Sequence, residues 1–160
     1  MIRVREFGAY SLATQEDFDM LIRLCAIGAI WTTAGMVTAG APFHTVVAPV
    51  GPGNTRNSEA AIIPLEDGSL LLGWTEFYAG NGADHGPARI SGKRSNDRGR
   101  TWGDKDTLVE NDGGCNVMEV NFLRLRDDQI ALFYLQKNSE HVDCRVMMRT
   151  SSDEGRTFGK

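Results

Sequence analysis

The chain has 160 residues, 41% of them hydrophobic and 24% charged, with a formal net charge of −4. That is room for one ordinary domain, and the chain is neither basic nor low-complexity. The sequence lacks the clustered Lys/Arg surface of a nucleic-acid binder, the His/Cys spacing of a metal site and a Gly-rich phosphate loop opening a helix, so no nucleic acid, metal or cofactor is expected.

Residues 1–19 read as an upstream extension, and residues 20–41 as a signal peptide. Met20-Leu21-Ile22-Arg23 is a short charged start, Leu24 to Trp31 an apolar run, and Ala39-Gly40-Ala41 an Ala-x-Ala cleavage pattern. The run is shorter than the roughly 20 residues a bilayer requires, so no membrane span is expected in the mature chain. A secreted or periplasmic location follows. The alternative is a buried helix or strand of the first domain. Loss of Cys25 with the signal would leave Cys115 and Cys144 as an even pair.

Residues 42–160 contain a repeat. Leu65-Glu66-Asp67-Gly68-Ser69 aligns with Leu125-Arg126-Asp127-Asp128-Gln129 at an offset of 60 (125 − 65). Each copy, about 55–110 and 115–160, predicts four strands. Strand A covers 60–64 and 117–125, strand B 69–77 and 129–137, strand C 88–94 and 144–150, and strand D 102–109, with the last incomplete in the second copy. Leu70-Leu71-Leu72-Gly73-Trp74 and Ile130 to Leu135 are nearly all apolar, as expected of strands covered on both faces.

Between strands C and D one phrase occurs twice, at an offset of 56 (153 − 97): Ser95-Asn96-Asp97-Arg98-Gly99-Arg100-Thr101-Trp102 and Ser151-Ser152-Asp153-Glu154-Gly155-Arg156-Thr157-Phe158. Both fit Ser-x-Asp-x-Gly-x-Thr-aromatic. The glycines supply a turn conformation that a side chain disfavours, the aspartates can accept from nearby backbone N–H groups, and Ser and Thr hydroxyls can take up others. Trp102 and Phe158 are predicted to start the returning strand. Ser95, Asp97, Gly99, Thr101, Trp102 and their counterparts Ser151, Asp153, Gly155, Thr157 and Phe158 are thus structural candidates. The phrase resembles the Asp-box, or bacterial neuraminidase repeat, of the sialidases. That resemblance implies an all-β fold, a partial β-propeller of about two four-stranded blades out of an expected six.

Antiparallel strands joined in order place the start of strand A and the B–C loop at one end of a blade, the top, and the A–B turn and the C–D phrase at the other. Cys115 and Cys144 would then lie two strand spacings apart, roughly 9.6 Å, beyond the usual disulfide span. The top collects Arg56, Asn57 and Glu59 at the entry to strand A, with Asp84 and His85 in Gly82-Ala83-Asp84-His85-Gly86-Pro87. A guanidinium offers a planar fork matched to a carboxylate, and a carboxyl shielded from water can hold a proton for general acid catalysis. The offset of 60 carries Arg56 onto Asn116, a candidate donor to a sugar hydroxyl.

By the resemblance, Arg56 takes the place of the first carboxylate-clamping arginine and Asp84 that of the acid/base. The family wording aromatic-Arg-Ile-Pro is replaced here by Thr55-Arg56-Asn57-Ser58-Glu59. Glu59, His85 and Asn116 are further substrate-binding candidates. The reading is the N-terminal part of an exported exo-α-sialidase that hydrolyses terminal sialic acids with retention, its partner a sialylated glycan or other carbohydrate. The resemblance also implies a nucleophilic tyrosine with a glutamate partner and two more arginines. None is identifiable in these residues, so the 160 residues alone are expected to be inactive. The alternatives are a non-catalytic glycan-binding propeller and a glycosidase for a different sugar.

Overall fold

A computed structural model describes residues 2–5 and 42–159; the expected signal segment 20–41 lies outside them. The chain divides into two units, Met1–Arg5 with Phe43–Lys160, and Glu6–Pro42. All the strands of the described residues belong to the first. They are β1 (Ile2–Arg5), β2 (His44–Ala48), β3 (Arg56–Pro64), β4 (Leu70–Phe77), β5 (Ala88–Ser95), β6 (Asp106–Val109), β7 (Asn116–Arg124), β8 (Ile130–Lys137) and β9 (Cys144–Ser151). The described residues contain no helix.

The strands form a four-stranded sheet in the order β3-β4-β5-β6, a three-stranded sheet β7-β8-β9 and a pair β1-β2. Every pairing is antiparallel. This is the all-β fold expected, with two successive propeller-type blades. Residues 2–5, read as part of an upstream extension, pair instead with His44–Ala48. Processing after Ala41 would remove β1 and leave β2 in place.

Strand β4 is covered on both faces, which explains its unbroken apolar run. Leu72 and Trp74 pack on Val47 and Ala48 of β2, and Leu71 joins Ile63, Leu65 and Ile130 on the other side. Gly73 is needed where β7 crosses: a Cβ there would lie 2.8 Å from the Phe122 ring. The same strand ends in a carboxylate that the hydrophobic pattern concealed. Glu76 is buried; its desolvation, which would raise its pKa, is outweighed by hydrogen bonds from Lys105, Ser91 and Arg89, leaving it lowered.

Two boundaries differ from expectation. Strand A of the first copy begins at Arg56 rather than at 60, because β3 continues through a bulge between Ser58 and Ala61; β7, which begins at Asn116, carries the equivalent bulge between Met118 and Asn121. Glu59 and Glu119, 60 residues apart, take left-handed φ values of 46° and 58° at these bulges. Strand D begins at Asp106 rather than Trp102. The Trp102 indole N–H donates to Gly99 O at 3.0 Å, and its ring packs beside Val47, Ala48, Leu72 and Trp74. Trp102 therefore belongs to the turn and to the core rather than to a ladder.

The two turn phrases are built alike. Ser95 Oγ and Ser151 Oγ accept from Gly99 N and Gly155 N, both at 2.8 Å. Asp97 Oδ1 and Asp153 Oδ1 accept from Thr101 N and Thr157 N at 2.8 and 2.9 Å, and the threonine hydroxyls donate to the second carboxylate oxygens at 2.6 Å. In each copy two consecutive residues are left-handed, Arg98-Gly99 and Glu154-Gly155. The second phrase also joins the sheets. Glu154 accepts from Arg124 and from Glu66 N, and its carbonyl accepts from Arg94 Nη2 at 2.8 Å.

These bonds hold both aspartates ionised. The Thr101 hydroxyl, then its backbone N–H, lowers Asp97 from 3.8 to about 2; the Ser151 and Thr157 hydroxyls lower Asp153 further still. A carboxylate whose pKa falls on folding stabilises above its unfolded value and loses that contribution as pH drops through its folded value. Melting temperature is therefore expected to be flat above about pH 4 and to fall between about pH 4 and 2. Asp97→Asn with Asp153→Asn should lower the plateau and flatten that fall. An unchanged slope would show that other carboxylates control acid unfolding.

Cys115 and Cys144 are free thiols. Their placement follows the expected topology, since Cys144 pairs with Lys137 in the ladder while Cys115 N donates to Lys137 O on the other side of β8.

Candidate functional site

The register fixes which residues share an end. Arg56 pairs with Phe77 and Phe77 with Ala88, while Pro64 pairs with Leu70 and Leu70 with Ser95. Arg56, the 78–87 loop and the start of β7 thus lie at the top, and the turn phrases at the bottom.

Arg56 is the first residue of β3. Its guanidinium carbon stands 3.8 Å from the centre of the Phe77 ring, a cation–π arrangement that keeps one face of the fork dry. Nη1 donates to Asp84 Oδ1 at 2.8 Å, and Nη2 is 3.8 Å from Glu59 Oε1. Nε is buried without a partner among the described residues. The 78–87 loop reaches Arg56 because Gly82 is left-handed (φ 75°) and lacks a side chain. A Cβ there would lie 3.1 Å from Thr55 Oγ1 and 3.2 Å from Arg56 Cβ. The close approach expected of these glycines is thus made to the arginine strand.

Asp84 is 68% exposed at its side chain. The hydrogen bond from Arg56 and then its charge hold the carboxyl below the ordinary aspartate range. A general acid needs a carboxyl shielded from water and able to keep its proton. In this arrangement Asp84 is neither, because the cation favours the ionised form.

Asn116 is fully buried, and it donates from Nδ2 to Asp84 O at 2.9 Å and Gly86 O at 2.8 Å. Reversing the amide would set its oxygen against two carbonyls, so the orientation is fixed by chemistry. Both N–H bonds are used. The donation to a sugar hydroxyl expected of this residue is therefore not available here; Asn116 instead ties the first sheet's loop to the second sheet's entry strand. Asn116→Leu should leave both carbonyls unsatisfied, at a cost of about 1–3 kcal/mol. Hydrogen exchange across residues 83–87 should accelerate more than exchange in β4; equal acceleration would mean that the residue holds the whole sheet rather than the loop.

His85 and Glu140 bring the two B–C loops together, Nδ1 to Oε1 at 3.4 Å. Beside them is a cleft of about 440 Å³ lined by Asp84, Glu119, Lys137, Glu140, His141 and Cys144, among others. Arg56 does not line it. Glu59, the remaining candidate, accepts from Ser58 Oγ at 2.7 Å and faces Arg56. Glu119 and Lys137 were not singled out from sequence. The repeat contained the signal: adding 60 to Glu59 and Phe77 gives these two positions, so the second sheet carries its cation on strand B where the first carries it on strand A. Among the described residues no cluster of His, Cys, Asp and Glu could hold a metal ion.

Comparison with family models and with curated proteins finds no match. Among solved structures the chain is similar to a protein of unknown function from Dyadobacter fermentans DSM 18053, with 14% identity and a TM-score of 0.58 over 72% of this chain and 38% of that one. It is also similar to the Hadza microbial sialidase Hz136, with 19% identity and a TM-score of 0.51 over 64% of this chain and 23% of that one. The chain therefore spans well under half the length of either. At these identities the likeness is one of fold, and the fold is of a kind that a sialidase uses.

Proposed function

We propose that the chain is the N-terminal part of an exported exo-α-sialidase, a glycoside hydrolase that removes terminal sialic acids with retention. The observation that carries the reading is the Arg56–Asp84 pair at the top of the first blade, an arginine fork and a carboxylate 2.8 Å apart. They sit at the end opposite the two turn phrases, whose wording resembles the Asp-box. In this proposal Arg56 grips the substrate carboxylate by paired hydrogen bonds. Asp84 protonates the glycosidic oxygen, and the tyrosine nucleophile, its glutamate and two further arginines lie outside these 160 residues. A tyrosine nucleophile sets sialidases apart from two-carboxylate glycosidases. Export by the 20–41 segment would bring the protein to sialylated glycans outside the cytoplasm.

The test is turnover of a fluorogenic sialoside by the full-length protein and by its Arg56→Ala variant. Wild type should hydrolyse the substrate, and the variant should show a raised KM with some loss of kcat, because the clamp also positions the sugar. Turnover of a neutral glycoside instead would point to a different sugar. A second reading, a glycan-binding propeller without chemistry, is favoured by one observation, the ionised and exposed state of Asp84. Sialoside binding with no turnover would select it.

A further inference from the structure

The resting geometry sets the two proposed site residues against their roles. Asp84 occupies the arginine fork that a substrate carboxylate would need, and Arg56 holds Asp84 in the form that cannot donate a proton. The arrangement is also graded in freedom. The Arg56 stem is fixed by the Phe77 ring and by Gly82, and the loop backbone is held at Asp84 O and Gly86 O by Asn116. The Asp84 side chain, 68% exposed, is the part free to turn, and it stands between Arg56 and the cleft that it helps to line.

We propose that Arg56 and Asp84 form a pair that an incoming carboxylate takes apart: the ligand's carboxylate replaces Asp84 on the Arg56 guanidinium, and Asp84 then takes up a proton from solvent. One ion pair breaks and one forms, one proton moves from water to Asp84, and no electrons are exchanged. The driving change is electrostatic. Asp84 loses its cationic hydrogen-bond partner and gains a neighbouring negative charge, and both favour its neutral form. Glu119 from β7, Glu140 from the next loop and Glu59 beside Arg56 push the same way, while Lys137 from β8 and His85 from the same loop oppose it. The consequence is specificity without an added contact. A sugar bearing a carboxylate arms the acid, whereas a neutral sugar leaves Asp84 ionised and unable to protonate a leaving group.

The proposal rests on the reading that the ligand's carboxylate docks at Arg56. Isothermal titration of free sialic acid into the full-length protein, at about pH 5 in buffers of different ionisation enthalpy, separates the two. Wild type should bind with uptake of roughly half to one proton per ligand. Asp84→Asn, at an exposed side chain, should still bind and take up none, and Arg56→Gln should bind at least about tenfold more weakly, the value of one lost charged contact. Binding by wild type without proton uptake, or equal uptake in Asp84→Asn, overturns the exchange and leaves the sialidase reading standing. Absence of any binding overturns both.

Discussion

Replacing Asp84 by Asn is expected to lower turnover by roughly 10²–10⁴ on sialosides with poor leaving groups and far less on an activated aryl sialoside, in the full-length protein. Asparagine keeps the shape of the side chain while removing the transferable proton and, in the resting pair, the negative charge facing Arg56. The loop should stay in place, because Asn116 holds it through the backbone of Asp84 and Gly86, which the substitution does not alter. The contrast between substrates is therefore the diagnostic quantity. A leaving group of low pKa departs without help, so loss of the acid goes unnoticed. Equal slowing of both substrates, or of neither, would make Asp84 a loop residue whose carboxylate serves only to hold Arg56.

Gly155→Ala is expected to cost roughly 2–6 kcal/mol of stability, through two separable causes. At φ +72° an L side chain strains the backbone by about 1–3 kcal/mol. The new Cβ would also lie 2.6 Å from Leu71 Cδ2. Leu71 is 1% exposed and packed among Ile63, Leu65 and Ile130, so it has nowhere to retreat, and such overpacking costs about 1–3 kcal/mol more. Gly68→Ala is the control. Its φ is +81° but its Cβ would meet nothing within 4 Å, so only the backbone cost applies. If denaturant midpoints fall equally for the two variants, the turn phrase of the second blade does not seal against the first.

Much of the fold was legible because its determinants are local. The hydrogen bonds within each turn phrase span two to four residues, so Ser, Asp, Gly and Thr at fixed spacing carry their own geometry wherever the chain places them. The apolar run Leu70 to Trp74 marked a strand covered on both faces because an alternating pattern would have signalled one open face. Strand order followed from short connections, and with it the separation of Arg56 from the turn phrases. The bulges are not legible in this way, because what requires them is not local. Glu59 and Glu119 adopt a conformation that glutamate does not advertise, and only the sheet pairing around them requires it.

The site divides along the same line. Sequence by itself determined the residue types at the top of the blades: an arginine where strand A enters, and an aspartate between glycines on the following loop. Tertiary structure decided what these residues do to one another. Arg56 meets Asp84 across 28 positions and ionises it, Asn116 spends both protons on a loop 30 and 32 positions away, and Glu154 reaches Arg124 and Glu66 to join the sheets. The physical reason is that a charge or an amide responds to the groups within a few ångströms of it. Which groups those are depends on how two sheets pack, information that no short stretch of the chain contains.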